Sequence, residues 1–323
     1  MSDQSIKKPT IYDLAKLADV SPGTVSRVLN NKDRVNQETR ARVLDLAHKI
    51  GLKPRSSVRN KEIAVVTEPQ FADRSHGYAS MLSSHVAFSL SERGASMSLP
   101  IDPINQLPQS FFDGVIAITY MPEIRAMLKK LEEKVPVVYL DNFQADEDQY
   151  VVRSNHYQSG YQAARHFVER GMQKPTFLAA DSEPAAVRLS GFIDGLTESG
   201  LSAGAKQNQL MQQTDSLYTM VGRVVKNGAD AIYIPGTSMQ AIEAMHVLQN
   251  VMNLKIPEDI SVIGGENEGV SMFLSPPLTT LQEPLLDMAR AAVEMVLKLA
   301  DKEPVEQNTI TFPVDLITRD SVR

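Results

Sequence analysis

The 323-residue chain contains no cysteine and no tryptophan. Without thiols there are no disulfides, no Cys-ligated zinc, no iron–sulfur cluster and no cysteine nucleophile. No apolar run is long enough to cross a bilayer, and the N-terminus lacks the apolar core of a signal peptide, so a cytoplasmic protein is expected. Catalytic signatures are missing as well. There is no HExxH, GxSxG or P-loop pattern, and no GxGxxG follows a predicted strand. His76, His85, His156, His166 and His246 share no metal-ligand spacing and are read as surface or cleft residues. His48 is read as a helix-packing or surface residue, and the acidic run Gln144–Gln149 as a solvated loop. The expectation is therefore no enzyme, no metal and no cofactor.

What is present is an uneven distribution of charge. The net charge of -6 belongs to 33 Lys+Arg and 39 Asp+Glu. Residues 1–62 hold 13 basic and 7 acidic residues, and the remainder holds 20 and 32. A basic N-terminal segment on an acidic body suits phosphate contact by the first and weak affinity for nucleic acid in the second.

Within that basic segment, Thr10–Asn31 reads as two short helices broken by a tight corner. Ile11, Leu14, Ala15 and Ala18 give one apolar face, and Val25, Val28 and Leu29 repeat it. Thr10 is a ready N-cap, with Asp13 completing a capping-box-like pair. Ser21 is placed to cap the second helix, and Pro22 is favourable in its first turn, where a missing N–H costs nothing. Thr24, Ser26, Arg27 and Asn30 are left pointing away from the apolar side. A polar second helix presented by a helix-turn-helix is the geometry that enters a DNA major groove. A third helix is expected over Gln37–Ile50, with Ala41, Leu44, Ala47 and His48 or Ile50 lining one side and Gly51 ending it.

The stretches YDLAKLADVSPGTVSRVLNN and VNQETRARVLDLAHKIGLKP resemble the DNA-binding head of the LacI/GalR family of bacterial transcription regulators. The resemblance implies that Pro22 and Gly23 stand at the base-facing positions, where Gly23 allows close approach and Pro22 offers apolar contact. Arg27 is expected to make a bidentate contact to guanine, a contact whose loss costs about 1–3 kcal/mol of discrimination. Thr24 is assigned to a base or a phosphate. Tyr12, Ser21, Ser26 and Asn30 are assigned to phosphates, alongside backbone N–H groups. In the linker Lys53–Lys61, Arg55 stands where the family usually has an asparagine, and Lys61 about where its minor-groove leucine belongs. Arg55, Arg59 and Lys61 are expected to hold phosphates or a narrow minor groove; the alternative is a solvated linker.

The body alternates apolar strands with amphipathic helices, which predicts parallel sheets covered on both faces. Strands are expected at 63–66, 115–118, 137–140, 176–179, 231–234 and 261–263. Helices are expected at 77–93, 122–133, 157–170, 185–199, 216–227, 239–250 and 284–300. SNHYQSGYQAARHFVERG, IPEDISVIGG, PPLTTLQEP and ITFPVDLITRDSVR resemble segments of the same family. The implied fold is α/β: a small all-α helix-turn-helix head (1–53), a hinge linker (54–62) and a two-lobed periplasmic-binding-protein-like type I core of two Rossmann-like parallel sheets (63–323). Lobe 1 is expected at about 63–154 plus 284–303, and lobe 2 at about 155–283 plus 304–323. Between Asp102 and Phe111 the chain looks short, as if a family helix were lost.

Arg188 heads RLSGF, which matches the family's R-x-x-G-aromatic motif, and the resemblance gives it ligand hydroxyls or a carboxylate. A guanidinium, with five donors in a fixed fork, suits either; a structural ion pair is the alternative. Asp141 and Asn155 are placed at strand ends that line the family's cleft, and Phe71 is placed to stack on a sugar face or to pack. Two effector-binding positions depart from the family pattern. Thr237-Ser238 replaces its Asn-Asp pair, so Thr237 is shorter and loses the amide donor. Gly265-Glu266-Asn267 replaces its aromatic-Asp-Asp motif, where the Glu266 carboxylate is still expected to accept from ligand hydroxyls. The expected function is a DNA-binding transcription regulator, a repressor, that reads a palindromic operator as a homodimer. A sugar or sugar derivative in the inter-lobe cleft is its expected effector, and the two departures leave an acidic or larger molecule as an alternative. The alternatives are a regulator whose cleft is silent or controlled by a protein, and a solute-binding protein or enzyme.

Overall fold

The computed structural model describes residues 9–29, 35–50, 52, 60–68, 77–201, 209–211, 216–236, 239–267 and 269–323. Three helices come first: α1 (Ile11–Leu17), α2 (Pro22–Leu29) and α3 (Gln37–Ile50). There follow β1 (Glu62–Thr67), α4 (Tyr78–Glu92), β2 (Ser96–Ser98), α5 (Pro103–Gln106), β3 (Gly114–Ile118), α6 (Pro122–Leu131) and β4 (Val137–Leu140). The middle of the chain is β5 (Tyr150–Ser154), α7 (His156–Glu169), β6 (Pro175–Ala180), α8 (Glu183–Glu198), β7 (Gln209–Met211), α9 (Leu217–Lys226) and β8 (Ala231–Ile234). It closes with α10 (Gln240–His246), β9 (Ser261–Gly265), β10 (Thr279–Gln282), α11 (Leu285–Ala300), β11 (Thr309–Phe312) and β12 (Asp315–Ile317).

The fold divides into two compact units: Met1–Ala72 with Val86–Leu140 and Ala292–Glu306, and Asp73–His85 with Asp141–Ala291 and Gln307–Arg323. In the first, β2, β1, β3 and β4 lie side by side and parallel, with Ile63 opposite Gly114 and Val115 opposite Val137. In the second, a sheet runs in the order β12-β10-β9-β8-β6-β7, all parallel except the β10–β12 pair. The second unit also holds the parallel pair β5–β11. Strands β3, β4 and β8 (GVIAI, VVYL and AIYI) are buried at every position. Continuous apolar runs of this kind belong to parallel strands with both faces covered.

The expected strands and helices are all present, with ends moved by a few residues. The 239–250 helix divides into α10 and a π-helical turn at Val247–Val251. Strands β2, β5, β7, β10, β11 and β12 were not picked out by apolar patterning. β11 alternates exposed with half-buried residues and β10 reads TTLQ, so neither presents an apolar run. Between Asp102 and Phe111 the chain makes only the one-turn α5 and a 3₁₀ turn at Leu107–Gln109.

Candidate functional site

Two places carry the residues singled out in the sequence. The first is the head. Thr10 caps α1 through the predicted box: its Oγ1 accepts from the Asp13 N–H at 3.3 Å, and the Asp13 carboxylate accepts from the Thr10 N–H at 2.8 Å. The chain turns through Asp19, whose φ of 50° is left-handed; aspartate tolerates that region better than most residues. Ser21 Oγ accepts from the Thr24 N–H at 3.1 Å and lies 2.9 Å from Thr24 Oγ1, so Ser21 caps α2. Leu14, Ala15, Ala18, Val25, Val28 and Leu29 are buried together with Val43, Leu44 and Ala47 of α3. The α3 face differs from expectation at one position: Ala41 is exposed and Val43 takes the inward place. One turn of helix separates Val43 from Ala47, which fixes the inward stripe a little off the one drawn from Ala41.

That core leaves Tyr12, Ser21, Pro22, Gly23 and Arg27 exposed, and Thr24 and Ser26 half-buried. Gly23 has a further property. Among the described residues a Cβ there meets only Ser21 Oγ, at 3.7 Å, which leaves room for a larger residue. Lys61, grouped in the sequence with the linker cations, is salt-bridged to Asp301. Asn30, Arg55 and Arg59 lie outside the described residues.

The head is also tied to the rest of the first unit. Phe111 is buried within the head's apolar cluster and stacks on His48, with ring centroids 5.6 Å apart and planes 14° from parallel. Lys134 donates to Asp45 at 2.7 Å, and Lys49 pairs with the same carboxylate at 2.8 Å. Hydrogen bonds from Lys134 and Lys49 hold the Asp45 carboxyl down at about 2.

The second place is a buried polar cluster in the second unit. Helices α7 and α8 meet backbone to backbone at two glycines. A Cβ on Gly160 would come within 1.8 Å of the Arg188 carbonyl oxygen, and one on Gly191 within 2.0 Å of the Tyr157 carbonyl oxygen. This approach gives the glycine of the R-x-x-G motif its physical reason, and it brings Arg188 on α8 beside His156 at the start of α7. Arg188 Nη2 lies 3.0 Å from His156 Nε2 and donates to Glu283 Oε1. His156 Nε2 is 3.5 Å from both Asp141 Oδ2 and Glu283 Oε2. Ser154 donates twice, from its N–H to Asp141 Oδ1 at 2.9 Å and from its hydroxyl to Glu283 Oε2 at 3.1 Å. The Tyr78 hydroxyl donates to Asp141 Oδ2, and the Phe143 ring lies 4.6 Å from the imidazole. Asp141, Ser154, His156, Arg188 and Glu283 are all buried.

Burial and the neighbouring Arg188 work against a charged His156. The carboxylates of Asp141 and Glu283 outweigh them, and the imidazole pKa is raised above its ordinary value. Burial works in the same way against a charged Glu283, but Arg188 and His156 hold its carboxyl well below the usual range. In the protonated ring, His156 Nε2 donates to the carboxylates; in the neutral ring it accepts from Arg188. Asp141, His156 and Glu283 each bring a ligand atom within 4.8 Å of the others. An imidazole with two carboxylates is a donor set that zinc accepts. Here, however, the guanidinium stands against both His156 and Glu283, so the protein supplies the cation itself.

Of the predicted cleft residues, Asp141 and Arg188 come together here. Asn155 adjoins them as the cap of α7, accepting from the Gln158 N–H at 3.0 Å. Glu266 is engaged with other partners: it pairs with Arg319 at 2.8 Å and accepts from the Thr280 hydroxyl. Phe71 and Thr237 lie outside the described residues. Sequence reasoning missed His156 and Glu283. His156 is buried inside the cluster, where a surface or cleft position was expected, because Asp141, Glu283 and Arg188 surround it from distant parts of the chain. No local spacing signals that arrangement.

A helix-turn-helix head on a parallel α/β body defines a DNA-binding regulator with a periplasmic-binding-protein-like core. Residues 10–55 match the family described as bacterial regulatory proteins, lacI family, and residues 164–322 match the periplasmic binding protein-like domain. The chain thus carries a LacI-family helix-turn-helix domain and a periplasmic-binding-protein-like domain, and its relatives are LacI/GalR-family regulators. It is 28% identical over 334 residues to the HTH-type transcriptional regulator GalR of Escherichia coli K12, covering 97% of this chain and 95% of GalR. Two solved structures share the fold over nearly the full length. The transcriptional regulator CelR in complex with cellobiose has a TM-score of 0.72 at 24% identity, covering 97% of this chain and 99% of CelR. The lac repressor dimer bound to operator and the anti-inducer ONPF has a TM-score of 0.66 at 22% identity, covering 98% of this chain and 99% of that one. Among the described residues no helix is long and apolar enough to cross a membrane.

Proposed function

We propose that this protein is a transcription repressor that reads a palindromic operator as a homodimer and answers to a sugar-class effector held at the buried polar cluster. The observation that carries the DNA half is the solvent-facing side of α2. Pro22, Gly23 and Arg27 are exposed there on a helix whose opposite side is fully buried. Arg27 is the base reader, and Pro22 and Gly23 let the helix approach the groove floor. Thr24 contacts a base or a phosphate, and Tyr12, Ser21 and Ser26 hold the backbone.

One head neutralises few phosphates, and a two-fold dimer on a palindrome multiplies them. Each unit carries exposed apolar residues suited to a second copy: Ile101 is 78% exposed in the first, and Phe273 75% exposed in the second. For the effector, Asp141, Arg188 and Asn155 are the anchoring residues, and the cellobiose complex of CelR supports a carbohydrate class.

A second reading, a regulator whose polar cluster takes no effector, is favoured by one observation: Arg188 is already paired with Glu283. The test of the main reading has three parts. Selection of bound duplexes from a random pool is expected to return a two-fold symmetric site. Sedimentation is expected to give a dimer. A carbohydrate panel in a thermal-shift assay is expected to give a hit that Arg188→Ala loses. Failure to enrich any sequence would sink the DNA-binding half. A carbohydrate panel without a hit would favour the second reading.

A further inference from the structure

The Arg188 guanidinium already carries an acid, and that acid belongs to the protein. Glu283 leads directly into α11 and accepts from Arg188 Nη2 from within the same unit. The arrangement leaves no carboxylate oxygen idle. Asp141 Oδ1 accepts from the Ser154 N–H and Oδ2 from Tyr78; Glu283 Oε1 accepts from Arg188 and Oε2 from the Ser154 hydroxyl. When His156 is protonated, two anions face two cations and the buried cluster is neutral.

We propose that Glu283 is a built-in acid that makes this site refuse anionic effectors, the sugar acids and sugar phosphates, and that its charge is the specificity determinant. The physical reason is a charge count. An incoming carboxylate or phosphate becomes a third anion beside Asp141 and Glu283, in a place shielded from water where like charges repel strongly. To take Arg188 Nη2 it must displace Glu283, which then stays buried without its partner. An uncharged polyol disturbs neither balance. The inference rests on the effector reading above for its location. Its outcome is nevertheless separable, because refusal of acids is measured on acids alone.

Replacing Glu283 by glutamine keeps the shape and removes one negative charge. Arg188 then faces an amide in place of a carboxylate, and with His156 protonated the cluster carries an excess positive charge that an acid can satisfy. The experiment uses the full chain with four probes: glucuronate, gluconate, glucose 6-phosphate and uncharged cellobiose. Thermal shift and calorimetry are run on wild type, Glu283→Gln, Glu283→Ala and the double variant Glu283→Gln/Arg188→Ala.

At least one acid is expected to bind the two Glu283 variants about 100-fold more tightly than wild type. The double variant is expected to lose that gain. A wild-type protein that binds an acid as tightly as the variants overturns the proposal, whatever the variants' stability. Folded variants that gain no acid overturn it too, by making Arg188–Glu283 a purely structural pair. Cellobiose reports on the effector reading independently. Acids gained by the variants with cellobiose bound by none leave the acid filter standing and remove the support for that disaccharide as effector.

Discussion

Phe111 lies flat against His48, ring on ring at 5.6 Å, and is buried in the same apolar cluster as Leu14, Val25 and Leu44 of the head. A residue beyond the first two strands of the body thereby completes the core of the DNA-binding domain. The short segment before it explains how. With only α5 and a 3₁₀ turn between Asp102 and Ser110, the chain delivers Phe111 directly to α3. Removing that ring is expected to cost about 3 kcal/mol in denaturant unfolding of Phe111→Ala, against about 1 kcal/mol for Phe111→Leu, which keeps most of the volume. Faster tryptic cleavage of Phe111→Ala in the Lys53–Lys61 segment is the companion readout. Equal stability of wild type and the alanine variant would mean that the head does not depend on the contact.

Gly191 gives a second expectation. An alanine Cβ there would sit 2.0 Å from the Tyr157 carbonyl oxygen, so α7 and α8 must separate. Backbone atoms cannot yield as a side chain can, and Gly191→Ala is expected to destabilise the second unit by about 3 kcal/mol. Gly23→Ala is the contrasting case. Among the described residues its Cβ meets only Ser21 Oγ, at 3.7 Å, and alanine is the better helix former. The head is expected to keep its melting temperature while operator affinity falls, a combination that a purely structural glycine cannot give.

His156 predicts a pH dependence of definite sign. Its folded pKa is raised above 6.5 by Asp141 and Glu283 against the opposing effects of burial and Arg188. The protonated imidazole therefore contributes stability that is fully present below 6.5 and is lost as pH rises through the folded pKa. Glu283, with a lowered pKa, contributes in the opposite sense: its share is present above 4.5 and is lost as pH falls. An NMR titration of the His156 ring protons is expected to give a midpoint above 6.5, and Glu283→Gln is expected to lower it. A wild-type midpoint below 6.5 would contradict the charge count in the cluster.

The residues differ in how plainly the sequence announced them. Thr10, Asp13 and Ser21 act through neighbours three residues away, so local spacing reveals their caps, and the structure repeats them bond for bond. Strands such as β3 and β8 announce themselves because both faces are buried. Arg188 was visible through its motif, but its partner was not. Glu283 sits 95 residues away and Asp141 nearly fifty in the other direction, and only the folded chain brings them to one imidazole. Phe111 was hidden for the same reason, since nothing around it in sequence marks it as part of the head. The inward stripe of α3 includes Val43, two residues from the expected Ala41, because a helix with few large apolar residues leaves its phase poorly fixed.

The central claim is that the exposed face of α2 reads DNA sequence through Arg27. It is tested most directly by fluorescence anisotropy of wild type and Arg27→Ala on the selected operator and on a scrambled duplex, each at two salt concentrations. Wild type is expected to prefer the operator by about 1,000-fold or more. Arg27→Ala is expected to melt at the wild-type temperature and to lose about 1–3 kcal/mol of that preference. Equal affinity of the wild-type protein for both duplexes, or a preference untouched by Arg27→Ala, would contradict the account.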